Sequence, residues 1–187
     1  KEEEVLHKRA ISMLEEMAEK GSAMAQYKLG AIYTDYEYGY YDLEKAVGYL
    51  EASAEQGNQF AQYKLGVIYS SQDNPKYEII CTDQVYSKYF DLEKAVGYLE
   101  TSAEQGNQFA QYKLGAIYAN QDVPEYYNLE KAIDYLEKSA EQGNLFAQYK
   151  LGTIYADQEW EHYDLEKAIS YLEKSSLQDN QFAQYKL

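Results

Sequence analysis

One cysteine, Cys81, and two prolines are all that 187 residues hold of the two amino acids that most constrain a chain. A lone cysteine excludes an intramolecular disulfide and fits a reducing, cytoplasmic compartment. Scarce proline leaves helices or strands uninterrupted. The two histidines, His7 and His162, lie near opposite ends of the sequence. Neither has a cysteine or histidine at metal-ligand spacing, so no metal, cofactor or catalytic centre is expected. No apolar run approaches the ~20 residues that span a bilayer, which argues against membrane insertion. The opening KEEEVLHKRA also lacks the apolar core of a signal peptide. Positive charge is in deficit, with 17 Lys and Arg against 32 Asp and Glu and a net charge of -15. Such a chain repels a phosphate backbone, so direct nucleic-acid binding is not expected. Beyond solubility, the charge suits a basic partner or mimicry of nucleic acid.

What is present is tyrosine, 23 residues of it, and repetition. GNQFAQYKLG stands at 57–66 and again, letter for letter, at 106–115. Near copies are GSAMAQYKLG at 21–30, GNLFAQYKLG at 143–152 and DNQFAQYKL at 179–187. A second motif alternates with it: DLEKAVGYLE from Asp42 and Asp91, NLEKAIDYLE from Asn128 and DLEKAISYLE from Asp164. Two motifs sharing one period define a two-element unit, and a period in this range marks a repeat architecture.

Both elements read as helices. Leu92, Ala95, Val96, Leu99 and Ala103 make one apolar stripe at helical spacing, with Asp91 ahead of them as N-cap. Ala61, Leu65 and Ile68 make the stripe of the other element. Between them Gly57 is placed to close one helix in the left-handed conformation and Asn58 to cap the next. Gly66 costs roughly 1 kcal/mol of helix propensity. Its recurrence at Gly30, Gly115 and Gly152 therefore predicts a neighbouring helix too close for a Cβ. With the AQYKLG element as the A-type helix and the LEKA element as the B-type, RAISMLEEMAEKG aligns with KAVGYLEASAEQG as a leading B-type helix. The expected domain is single: that leading helix over 1–21, repeats at 22–57, 58–106, 107–143 and 144–179, and a partial A-type helix at 180–187. About ten helices are expected in all.

These residues resemble the Sel1-like repeats, relatives of the tetratricopeptide repeats. The resemblance rests on A-x-x-x-L-G-x-x-Y (Ala61, Leu65, Gly66, Tyr69) followed by D-x-x-K-A-x-x-Y-L-x-x-S-A-x-x-G (Asp91, Lys94, Ala95, Tyr98, Leu99, Ser102, Ala103, Gly106). It implies an all-α fold, a right-handed α-solenoid of stacked antiparallel helix pairs, acting without catalysis as a protein-interaction scaffold. The chain departs from the family in its A–B loops, where the usual glycine-rich turn is absent.

Ala61, Leu65, Gly66, Tyr69, Asp91, Ala95, Leu99, Ala103 and Gly106 are thus expected to hold the fold. The expected partner is a protein or peptide, met through a concave groove and the aromatic loops. The candidates are the lysine row Lys28, Lys64, Lys113 and Lys150, and Tyr36, Tyr38, Tyr77, Ile79, Ile80, Tyr86, Tyr126 and Trp160 of the loops. The alternative is an acidic inhibitor that mimics nucleic acid to occupy a basic protein. A leading B-type and a trailing A-type helix are halves of one repeat, so head-to-tail self-association, or a chain that is part of a larger protein with a longer array, is a further expectation.

Overall fold

The computed structural model describes residues 2–36, 39–71, 88–161, 163–178 and 180–186. Among these there are ten helices and no strand. Five are B-type: α1 (Glu2–Glu19), α3 (Leu43–Glu55), α5 (Leu92–Glu104), α7 (Leu129–Glu141) and α9 (Leu165–Ser176). Between them run the A-type α2 (Ala23–Tyr33), α4 (Gln59–Ser70), α6 (Gln108–Tyr118), α8 (Leu145–Tyr155) and α10 (Gln181–Lys186). The chain forms two compact units, Lys1–Gln105 with α1 to α5 and Gly106–Leu187 with α6 to α10.

The helix ends follow from local chemistry. Asn58, Asn107 and Asn144 each accept from backbone N–H groups of the first turn, as N-caps do, and Ser22 serves α2 in the same way. The B-type helices α3, α5, α7 and α9 are capped by Asp42, Asp91, Asn128 and Asp164, each accepting from the lysine N–H three residues on. Gly57 holds φ 85°, the left-handed conformation predicted for it, and Gly21, Gly106 and Gly143 share it with φ between 87° and 90°.

Within a repeat the two helices run antiparallel and lie very close. The Ser53 hydroxyl, near the end of α3, donates to the carbonyl of Ala23 at the start of α2 (2.6 Å). At the other end Asp42 N–H donates to the Tyr33 carbonyl (2.9 Å). A Cβ on Gly30 would stand 2.5 Å from Leu50 Cγ, and one on Gly115 would stand 2.5 Å from Leu136 Cγ. Helix contact of this intimacy requires glycine. Leu50, Leu99, Leu136, Ala61, Leu65 and Ala95 are all fully buried.

The unusual A–B loops do not alter how a repeat closes. Asp91 N–H donates to the Tyr69 carbonyl at 2.9 Å, the distance of the Asp42–Tyr33 bond, although this connection is much the longest. Asn128 with Tyr118 and Asp164 with Tyr155 repeat the bond at 2.8 and 2.9 Å.

Candidate functional site

Most of what recurs in every repeat is used internally. Ser102, Ser139 and Ser175 are fully buried, and each hydroxyl donates to a carbonyl at the start of its A-type partner helix. The glutamine of AQYKL is also internal. Gln62 donates to the Ala54 carbonyl of the preceding helix (3.2 Å) and accepts from Gln105 (2.7 Å), linking three helices through one side chain. Gln26 with Gln56 and Gln148 with Gln178 repeat the amide pair.

The tyrosine of L-G-x-x-Y carries a second recurring assembly. In the first unit the Tyr33 ring lies parallel to Tyr49 at 5.9 Å, with Lys45 Nζ 5.3 Å from the Tyr33 centroid. Its hydroxyl donates to Glu15 Oε1 (3.2 Å). Burial, and then the charge of Glu15, push this phenol up to about 12. Tyr69 repeats the arrangement with Tyr98, Lys94 and Glu51, as Tyr155 does in the second unit with Tyr171, Lys167 and Glu137. A lysine beside a ring face adds roughly 0.5–1 kcal/mol where it is exposed, so these stacks are fasteners.

A different picture holds on the A-type helices. Phe60 in the first unit, and Phe109 and Phe146 in the second, remain 44%, 49% and 53% exposed although they recur with the motif. Phe60, Phe146 and Phe182 are each met at a tilt by a tyrosine of the preceding A-type helix: Tyr27 with Phe60 at 5.9 Å, Tyr112 with Phe146 at 6.0 Å and Tyr149 with Phe182 at 6.2 Å. One turn after each phenylalanine comes the lysine of the row, Phe60 before Lys64, Phe109 before Lys113 and Phe146 before Lys150, an i, i+4 spacing that shares a face. Lys64, Lys113 and Lys150 are half-buried and Lys28 is exposed. Burial lowers the ammonium pKa of Lys64 and of Lys113.

The loop candidates divide. Tyr36 is half-buried with its ring 3.7 Å from that of Tyr41, and Trp160 is half-buried edge-on to Tyr127 at 6.5 Å, so both pack locally. Tyr126 is half-buried in its loop. Tyr38, Tyr77, Ile79, Ile80, Tyr86, Cys81 and His162 lie outside the described residues. His7 lines an apolar pocket of about 260 Å³ with Ala10, Ile11, Ile32 and Tyr40. Among the described residues no cluster of His, Cys, Asp and Glu suits a metal ion, and no helix is long and apolar enough to cross a membrane.

The signature of the Sel1 repeat matches residues 23–58, 59–73, 86–107, 108–144 and 145–180. The chain belongs to the Sel1 repeat family. Sel1 repeats form α-solenoids that act as protein-interaction scaffolds, and catalysis is not their general role. This Sel1 repeat chain is similar to a Sel1 repeat protein from Oxalobacter formigenes, with 25% identity and a TM-score of 0.72 over 95% of this chain and 48% of that one. The protective antigen c5321 of uropathogenic Escherichia coli strains is 27% identical with a TM-score of 0.51, over 95% of this chain and 43% of that one. The chain thus spans less than half the length of either. Immunity protein Pa5087 from Pseudomonas aeruginosa, at 22% identity and a TM-score of 0.56 over 94% and 60% of the two chains, shares the fold. No curated protein matches the sequence.

Proposed function

We propose that this Sel1 repeat chain binds a segment of a partner protein on its A-type helices, with the aromatic A–B loops adding contacts and without catalysing a reaction. One observation carries the reading: Phe60, Phe109 and Phe146 stay about half exposed at positions repeated from unit to unit. Aromatic side chains are favoured anchors at protein interfaces, since they bury a large area at little cost in rotamer entropy. The buried positions of the same motif account for stacking, and Phe60 and Phe146, although tilted against Tyr27 and Tyr112, still present about half their surface to a partner.

Site-specific photo-crosslinking tests this. A crosslinking amino acid at Phe60 or Phe146 captures the partner, whereas one at Gly48, exposed on the B-type helix α3, does not. Capture from Gly48 alone would instead favour the acidic-mimic reading, in which the carboxylate-rich B-type helices meet a basic protein. The two also differ in salt dependence, because a mimic weakens steeply as ionic strength rises.

A further inference from the structure

The tyrosine stacks of the two units differ at one position. In the second unit the B-type tyrosine is met by a lysine of its own helix. Lys138 Nζ lies 5.4 Å from the Tyr135 centroid, and Lys174 Nζ lies 5.4 Å from that of Tyr171. In the first unit the same position is Ala52 on α3 and Thr101 on α5, and the Thr101 hydroxyl turns back to the Gly97 carbonyl (2.9 Å). Asp134, which Lys138 also meets at 2.7 Å, has Gly48 and Gly97 as its counterparts. The glutamates around the rings do not differ. Burial, and then the charges of Glu15 and Glu19, push the Tyr49 phenol up. Burial with Glu51 and Glu55 does the same at Tyr98, and burial with Glu137 and Glu141 at Tyr171. Beside Tyr49 and Ala52 lies a pocket of about 410 Å³, with Glu19, Gln26, Lys45 and Gly48 in its walls. The first unit thus keeps the ring and the carboxylates of this assembly and lacks its lysine.

We propose that the B-type face of the first unit binds a lysine-bearing segment of a protein, with one ammonium over Tyr49 and another over Tyr98, in the places that the second unit fills for itself. This surface goes beyond the A-type one proposed above and serves a second partner. An ammonium is drawn to a tyrosine face by the ring quadrupole and to the glutamates by charge, so both attractions act at one spot. The lysines already present do not bar it. Lys45 Nζ lies 5.3 Å from the Tyr33 centroid and 3.9 Å from Asp42, and Lys94 holds the same distances to Tyr69 and Asp91. In the second unit the equivalent Lys167, 4.9 Å from the Tyr155 centroid, coexists with Lys174 on the ring stacked against it. A phosphate-bearing ligand is repelled by the glutamates that attract the ammonium.

Titration of the intact, isotope-labelled chain with decalysine, followed by NMR at physiological ionic strength, tests the inference. The largest amide shifts are expected at Gly48, Tyr49, Ala52, Gly97, Tyr98 and Thr101. The A52K/T101K variant gives the first unit the lysines of the second, a change the fold accepts at the same position of α7 and α9. Its affinity for decalysine should fall about fivefold or more. Q121K/Q158K adds the same charge on exposed loop residues of the second unit and should shift affinity by less than about twofold. K138A/K174A opens the corresponding places, so that shifts appear at Tyr135 and Tyr171 as well. Equal weakening in A52K/T101K and Q121K/Q158K would mean that decalysine answers net charge alone, and would overturn the proposal. Shifts centred on other residues, or no binding, would overturn it too. In the crosslinking experiment above, a product between Gly48 and this second protein accompanies the product from Phe60 and does not replace it.

Discussion

Two glycines in the middle of helices have opposite meanings. At Gly115 an added Cβ meets Leu136 Cγ at 2.5 Å, but at Gly48, exposed in the middle of α3, it meets nothing within 4 Å. Gly115→Ala gains about 1 kcal/mol of helix propensity and loses more to overpacking, for a net destabilisation of about 1–2 kcal/mol. Gly48→Ala has only the gain and stabilises by roughly 0.5–1 kcal/mol. Urea unfolding of the two variants should move in opposite directions. Tyr33 makes the pH prediction. Its phenol, ordinarily near 10.0 and pushed up to about 12 by burial and by Glu15, holds its proton more tightly folded than unfolded. Its contribution to stability is whole below about pH 10 and is lost as pH climbs through about 12. Tyr69 and Tyr155 are raised for the same reasons. Thermal melts at about pH 9 and about pH 11 should show Tm falling in the natural protein and falling less in the Y33F/Y69F/Y155F variant.

At the scale of the element, helices, caps and turns were legible because each is set by residues within one turn of itself. Asn58 caps α4 and Gly57 closes α3 as their types dictate. The tight approach at Gly66 was legible too, because glycine in mid-helix demands a reason. The amide bridge from Gln105 to Gln62 spans 43 residues, and no local pattern announces it. Replacing one member strands the other: Gln62→Leu should destabilise by about 1–3 kcal/mol, and the Q62L/Q105L double variant by less than the sum of the two single changes. The exposure of Phe60, Phe109 and Phe146 was not legible, because they recur in the same motif as residues the stacking buries. Only their exposure separates them from Leu65 and Leu114, which are fully buried in the same motif.

Across the whole molecule, charge opposes compaction. A net charge of -15, with three glutamates against one lysine on each of α3 and α5, means that like charges outnumber opposite ones. Salt screens that repulsion over a Debye length of about 8 Å at physiological ionic strength. Tm should therefore rise by several degrees between low and moderate sodium chloride. A flat or falling Tm would mean that local ion pairs such as Lys138–Asp134 (2.7 Å) outweigh the longer-range repulsion.

The bond from each N-cap to the carbonyl of the preceding repeat tyrosine has the same length across a short loop and across one of more than twenty residues. Each repeat is thus sealed by the same bond whatever the number of residues between its two helices. The same seal lets whole repeats be copied, each new one bringing its own cap, turn, phenylalanine and lysine, so that the face can lengthen by duplication.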